Sequence, residues 1–329
     1  MGWSTSRSRS CNDGDMRRAT TTERALVISG VVIAIIAVLI AIWPSTTRRS
    51  PRHGLAPEGT TSTSTTLPSA LATTTTQITL TDTTRPLISA GATLAPARVL
   101  PTTIVQPEGR GPWPLIVFVH GYDVGPSFYD RYLGVLASHG FVVAAPAFPL
   151  EDPSSGYPLN EADIPNEATD VSFVIDSLRS SALRTRLVPG AIGVVGHSDG
   201  ADVALRVGYD SSQSDSSVRA VVADAPDPID YQTIDGGPPL ELVHGSADQV
   251  VNPQSATQVM GQISAERWSV TLAGADHASP IEGPSPWTAS FDVATIGFLD
   301  AVLVTHSTNG LTQELEALPG VSVTYAPGP

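Results

Sequence analysis

Residues Ala191–Ala204 read AIGVVGHSDGADVA, and this stretch decides the fold. The apolar run Ala191 to Val195 has the length and composition of a buried strand, and helical spacing begins at Asp199 and runs to Val207. Between them lies Gly196-His197-Ser198-Asp199-Gly200, a G-x-S-x-G pattern set between strand and helix. The serine of such a turn is expected in a strained backbone conformation, and both glycines are required because side chains there would collide where strand and helix cross. The turn exposes Ser198 Oγ at the carboxyl edge of a sheet. It also places the oxygen at a helix amino terminus, whose partial positive charge favours a nascent oxyanion.

Outward from this stretch, short apolar runs alternate with helical periodicity. This is the pattern of strand–helix units around a mostly parallel central sheet with helices on both faces. Strands are expected at Arg98 to Val105, Leu115 to Val119, Phe141 to Ala145, Ala191 to Val195, Val218 to Ala223, Leu240 to Val243 and Trp268 to Leu272. Helices are expected at Tyr129 to Ser138, Glu167 to Ser180, Asp199 to Val207, Gln254 to Ile263 and Val293 to Val304. The tail, 307–329, carries a short amphipathic piece followed by Gly and Pro and is assigned no element.

A serine hydroxyl is a weak nucleophile at neutral pH, so Ser198 needs a base and the base needs an orienting partner. Gly274 to Ser279 (GADHAS) follows the last strand, where a loop can lower the imidazole of His277 onto the serine. His197 inside the turn, His244 at a strand end and His306 after the terminal helix are the alternatives. Leu240 to Pro253 (LELVHGSADQVVNP) supplies Asp248 just past a buried strand, with Val250 and Val251 anchoring its loop. Asp224 and Asp227 remain alternatives for the acid, whereas Asp276, beside the histidine, reads as a loop cap.

Two backbone N–H groups suffice to hold an oxyanion. Asp199 offers one, and the loop His120-Gly121-Tyr122-Asp123 offers another, assigned to Tyr122, with His120 holding that loop. Tyr122, Phe128, Tyr157 and Trp287 are the aromatic candidates for a substrate wall, against a reading of ordinary packing. Glu151 to Pro165 reads as a loop bordering the cleft. No metal-ligating set and no phosphate-binding glycine loop stands out, and a serine mechanism requires no cofactor.

The amino-terminal quarter has a different composition. Residues 1–24 are basic, and 25–43 (ALVISGVVIAIIAVLIAIW) carry no charge over about the length needed to cross a bilayer as a helix. Trp43, Pro44 and Ser45 make a poor cleavage site, so an anchor is expected rather than a removed signal. Arg7, Arg9, Arg17, Arg18 and Arg24 precede the span and Arg48, Arg49 and Arg52 follow it, an excess that favours a cytoplasmic amino terminus. Residues 44–86 are rich in Thr, Ser and Pro and read as a disordered tether. A single-pass cell-membrane protein is expected, with an extracytoplasmic domain at 87–306, in preference to one secreted after cleavage. The net charge of −14 and pI near 4.7 argue against a nucleic-acid surface. The single cysteine, Cys11, precedes the span, so no internal disulfide can form. Nothing in the sequence sets an oligomeric state.

Pro114 to Tyr122 (PLIVFVHGY), Leu136 to Ala145 (LASHGFVVAA), the Ser198 turn, Asp248 with Val250 and Val251, and Asp276-His277 together resemble the α/β-hydrolase superfamily. Within it the chain is similar to bacterial cutinase-like polyester hydrolases, the dienelactone hydrolase group and platelet-activating-factor acetylhydrolases. The resemblance implies an α/β-hydrolase fold and an acyl-enzyme on Ser198, with Tyr122 and Asp199 as oxyanion donors. Dienelactone hydrolases carry cysteine where this chain has Ser198, and polyester hydrolases usually carry methionine where it has Asp199. A small or medium carboxylic ester is therefore the expected substrate. The rivals are acyl transfer or peptide cleavage by the same three residues, and a catalytically silent binding domain.

Overall fold

A computed structural model describes residues 70–329 of the chain. The predicted span at 25–43, Cys11 and most of the tether lie outside these residues. Among the described residues no helix is long and apolar enough to cross a membrane.

The first strand, β1 (Thr73–Asp82), is followed by a small hairpin, β2 (Leu87–Ser89) and β3 (Ala92–Ala95). The main series then runs β4 (Arg98–Pro107), β5 (Trp113–Val119), α1 (Asp130–Ser138), β6 (Val142–Pro146), α2 (Ile164–Ser180), β7 (Leu187–His197), α3 (Asp199–Tyr209) and β8 (Ala220–Asp224). It closes with β9 (Leu240–Gly245), α4 (Gln254–Gln262), β10 (Arg267–Leu272), α5 (Ser279–Glu282), α6 (Thr288–Leu303), α7 (Leu311–Glu316) and β11 (Val321–Ala326). Nine strands form one sheet in the order β1-β4-β6-β5-β7-β8-β9-β10-β11. The six central strands, β5 through β10, are parallel, and β1, β4 and β11 run antiparallel to their neighbours.

The period of two along each strand divides the core into two layers. Leu115, Val117 and Val119 of β5 face α2, α3 and α4, through Val171, Val174, Ala201, Leu205 and Val259. Ile116 and Phe118 point the other way, toward Leu133 and Leu136 of α1 and Phe291, Phe298 and Leu299 of α6. Both layers are sealed from water, as a parallel sheet requires. An ion-pair network is buried with them: the Arg98 guanidinium, 1% exposed, meets Asp163 at 2.7 Å and Asp170 at 2.5 Å, tying β4 to the start of α2.

Each strand and helix expected from the sequence is present, with bounds shifted by a few residues. The largest shifts are at the starts of β7, α2 and α6. Pro165, which a first helical turn tolerates, lies inside α2, and α6 begins at Thr288.

Two assignments need correction. Thr73–Asp82, placed in the disordered tether, is an edge strand paired with β4 from Thr73↔Pro107 to Asp82↔Arg98. Its side chains are mostly exposed, so its apolar content gives no signal, and backbone pairing by β-branched threonines holds it. The tail at 307–329 likewise belongs to the fold. α7 buries Leu311 and Leu315, and β11 pairs with β10 from Arg267↔Ala326 to Leu272↔Val321.

Candidate active site

Ser198 has φ 57° and ψ −130°, the strained conformation expected at the turn between β7 and α3. Its N–H donates to the carbonyl of Asp224 at 2.9 Å, which anchors the turn to the end of β8. The glycines on either side are sterically compelled. A Cβ at Gly196 would lie 1.9 Å from the Gly200 carbonyl oxygen, and one at Gly200 would lie 2.2 Å from that of Val119.

The loop after β10 carries His277 to the same edge. Its Nδ1 lies 2.8 Å from Asp248 Oδ2, and its ring centroid is 4.6 Å from that of His197, the residue before the serine. Asp248 Oδ1 accepts from the N–H groups of Val250 at 2.8 Å and Val251 at 3.0 Å. Burial would raise the Asp248 carboxyl, but the hydrogen bonds from His277, Val250 and Val251 outweigh it and hold the group below the usual carboxylate value. A charged Asp248 fixes the proton of His277 on Nδ1 and turns Nε2 toward the site. No hydrogen bond joins Ser198 Oγ to His277 among the described residues. That link forms in catalytic complexes more often than in free enzymes.

The other acids and histidines fall elsewhere. Asp224 is buried inside β8, and burial, with Asp248 nearby, pushes its carboxyl well above the usual range. Asp227 is exposed, and its N–H donates to Asp202. Asp276 accepts from the N–H and hydroxyl of Ser279 at 2.8 and 2.7 Å. His306 is exposed after α6.

The loop after β5 is held at each peptide around Tyr122. Gly121 N–H donates to the Tyr129 hydroxyl at 3.1 Å, and Asp123 N–H donates to the Glu151 carbonyl at 3.1 Å. His120 Nε2 accepts from Phe148 N–H at 3.0 Å, so Nδ1 carries the proton and donates to Gly121 O at 2.9 Å. Because a trans peptide is planar, holding Gly121 O in one direction aims Tyr122 N–H in the opposite one. Burial keeps His120 neutral by pushing it down to about 4. Gly121 is also a point of close approach: a Cβ there would come within 3.1 Å of Ser198 Cβ.

The rim of the site is acidic. Asp199 is pushed up to about 6 by burial and then by the charges of Glu161 and Asp227. Partial desolvation, then the carboxylates of Glu161, Glu151, Asp123 and Asp199, raise the Tyr122 phenol. Of the four aromatics considered for a substrate wall, Tyr122 is 37% exposed beside the site. Phe128 packs edge-to-face against Tyr129, with ring centroids 4.9 Å apart, and Trp287 donates its indole N–H to Ala273 O at 2.9 Å, so both brace loops from behind. Tyr157 is half-buried in the segment that borders the loop after β5.

Two contacts at the site were not anticipated, one made by His244, an alternative for the base, and one by Tyr129. His244 Nε2 lies 3.2 Å from Asp248 Oδ2, so this carboxylate oxygen faces two imidazoles. Tyr129 meets both Gly121 and His197, and no sequence spacing could place it there, 68 residues before that histidine. Among the described residues no group of His, Cys, Asp and Glu is arranged to hold a metal ion. A cavity of about 660 Å³, lined by Arg179, Arg184, Leu187 and Gly190, lies at the start of β7, at the opposite end of that strand from Ser198.

The chlorophyllase family model matches residues 71–243, just over half of the chain. The chain belongs to the chlorophyllase family. The match covers the Ser198 turn and the loop bearing Tyr122, and stops short of Asp248 and His277. Chlorophyllase type 0 of Chenopodium album is 28% identical over 144 residues, 41% of this chain and 40% of that one. Chlorophyllase-1, chloroplastic, of Citrus sinensis is 31% identical over 116 residues, 33% of this chain and 34% of that one. The peroxisomal succinyl-coenzyme A thioesterase of Mus musculus is 31% identical over 105 residues, 31% and 22% of the two chains. The chain thus spans two fifths or less of the length of these curated relatives. The α/β-hydrolase resemblance holds, and the chlorophyllases are the family within it.

Proposed function

We propose that this chain is a serine hydrolase that cleaves carboxylic esters through an acyl-enzyme on Ser198, with His277 as base, Asp248 as orienting acid, and the N–H groups of Tyr122 and Asp199 as oxyanion donors. The observation that carries this reading is the convergence of the strained Ser198 turn and the Asp248–His277 pair, 2.8 Å apart, on one edge of the sheet. Membership of an esterase-type family supports it.

In the first half-reaction, Nε2 of His277 takes the Ser198 hydroxyl proton as Oγ attacks the ester carbonyl, and the imidazolium then returns the proton to the leaving alkoxide. The carbonyl oxygen gains negative charge between Tyr122 N–H and Asp199 N–H at the start of α3. Water repeats the sequence on the acyl-enzyme and releases the acid. The relatives are named for chlorophyll and for a coenzyme A thioester. The acid-rimmed site of this chain favours small or medium neutral esters over polyanionic ones.

We also propose that residues 25–43 anchor the protein in the cell membrane with the hydrolase outside the cytoplasm. The uncharged 19-residue run and the arginine excess before it support this.

The test is hydrolysis of short and medium p-nitrophenyl esters by the parent and by Ser198→Ala, together with labelling by a fluorophosphonate. Activity and label should vanish together in the variant. A folded parent that neither turns over an ester nor takes the label would leave the silent binding domain as the better reading.

A further inference from the structure

Two buried side chains outside the proposed triad, Tyr129 and His197, join into one directed chain of hydrogen bonds. Tyr129 is 1% exposed and His197 3% exposed. Gly121 N lies 3.1 Å from the Tyr129 hydroxyl, the hydroxyl lies 2.9 Å from His197 Nδ1, and His197 Nε2 lies 2.9 Å from the His277 carbonyl oxygen. The donors are fixed by elimination. A carbonyl oxygen only accepts, so Nε2 of His197 carries its proton. The ring is neutral, because burial and then the neighbouring His277 push it down to about 4. Nδ1 is therefore bare and accepts from the Tyr129 O–H, leaving the phenol oxygen to accept from Gly121 N–H.

Each end of the chain adjoins a group that the proposed reaction needs. Gly121 precedes Tyr122, whose N–H is aimed at the oxyanion position, and the far end grips the backbone of His277 itself. The middle member directly precedes Ser198. Its ring lies 4.6 Å from that of His277 on one side and 5.7 Å from that of Tyr129 on the other. Filling this space with apolar side chains would satisfy packing alone and leave Gly121 N–H and His277 O without these partners.

We propose that Tyr129 and His197 are positioning residues that act as a single strut, fixing the oxyanion loop and the base loop at one distance across the nucleophile. The proposal rests on the serine-hydrolase reading above. Cutting the strut at any point frees both loops, which lowers the rate of acylation while leaving substrate binding nearly intact.

The experiment uses the full chain and compares Tyr129→Phe, His197→Leu, His197→Gln and the double variant Tyr129→Phe/His197→Leu. It measures kcat and KM per fluorophosphonate-titrated site, with melting temperatures alongside. Tyr129→Phe and His197→Leu should each lose roughly 10- to 100-fold in kcat, with KM within about twofold. The double variant should be no slower than the worse single one. A glutamine amide can donate to His277 O and accept from Tyr129, so His197→Gln should recover to within about threefold of the parent.

If the two residues only stabilise the fold, melting temperatures will fall while kcat per titrated site stays within about twofold, and the strut is wrong. Losses that multiply in the double variant would also overturn it. Should His197→Leu fail to fold, Tyr129→Phe and His197→Gln decide the matter alone. A parent that takes no label and cleaves no ester instead counts against the hydrolase reading, which keeps the two failures apart.

Discussion

Gly200 packs so tightly under β5 that a Cβ built on it would lie 2.2 Å from the carbonyl oxygen of Val119. The nucleophile turn therefore depends on backbone meeting backbone, with no flexible side chain able to yield. Gly200→Ala and Gly196→Ala should give insoluble or unfolded protein. Gly134→Ala in α1 and Gly261→Ala in α4 have open space at the new methyl and should raise stability by about 0.5–1 kcal/mol, as helix propensity dictates. Soluble yield and chemical denaturation of the four variants would check this contrast.

Asp248 and Asp224 are both buried acids near the site, but their carboxyls are shifted in opposite directions. Asp248 is held down by its donors, whereas Asp224 is pushed well up by burial and its side chain hydrogen-bonds none of the three proposed catalytic residues. Asp248→Asn should lower kcat by about 10³- to 10⁴-fold, because the amide cannot hold the required tautomer of His277. Asp224→Asn keeps the shape of a side chain whose Oδ2 has no hydrogen-bond partner and should change kcat by less than about threefold. Equal losses in steady-state assays of the two variants would contradict the assignment of the acid.

The core of the fold could be read from sequence because each central strand is buried on both faces and so appears as an uninterrupted apolar run, as in Leu115 to Val119. The positions of the proposed triad, Ser198, Asp248 and His277, could be read for a related reason. They sit at fixed offsets from strand ends, on loops opened by the Gly196, Gly245 and Gly274 signals. The edge strands were not legible. β1 is threonine-rich and mostly exposed, so backbone pairing rather than burial holds it, and pairing leaves no compositional trace. Tyr129 was hidden differently, as a core aromatic whose hydroxyl finds its role only through tertiary contact.

Asp199, beside the nucleophile, ionises around pH 6 because burial raises it. Above that pH it adds a negative charge a few ångströms from the reacting carbonyl. Asp199→Asn keeps the backbone N–H and should raise kcat/KM toward a carboxylate-bearing ester roughly tenfold at pH 8, with neutral esters changing little. Below pH 5, where the parent carboxyl is protonated, the two proteins should converge. The ratio of specificity constants for a matched pair of charged and neutral esters gives the answer.

Glu241 is fully buried in β9, and burial followed by Asp224 pushes its carboxyl up to about 8 from an unfolded value of 4.5. The folded state then holds a proton that the unfolded state has lost. This contribution is intact at low pH and is lost as pH rises through the window from 4.5 to 8, at up to about 1.4 kcal/mol per pH unit. His120 and His197, pushed down to about 4, slope the other way between about 4 and 6.5. Denaturation midpoints should therefore fall from pH 6.5 to 8, and Glu241→Gln should reduce that fall, with Glu151, pushed up to about 9 mainly by burial, supplying part of what remains. A wild-type slope retained in the variant would show that Glu241 is not the source.

A fragment beginning at Pro86 loses all ten residues of β1 and leaves β4 as an unprotected edge. Against a fragment beginning at residue 70, it should melt roughly 5–10 °C lower and aggregate more readily, which calorimetry and light scattering would show.

Closure of the opposite edge raises a matter of timing. The outer side of β10 is covered by β11, which lies roughly fifty residues further along the chain, beyond α5, α6 and α7. During synthesis the hydrolase sheet can therefore assemble with every proposed catalytic residue in place while its last ladder of N–H and C=O groups still lies open. A nascent chain paused in this interval offers those groups to any extended segment nearby, including another copy of itself. Completion of the sheet is thereby coupled to the delivery of residues 321–326, after which β11 rather than β10 forms its edge.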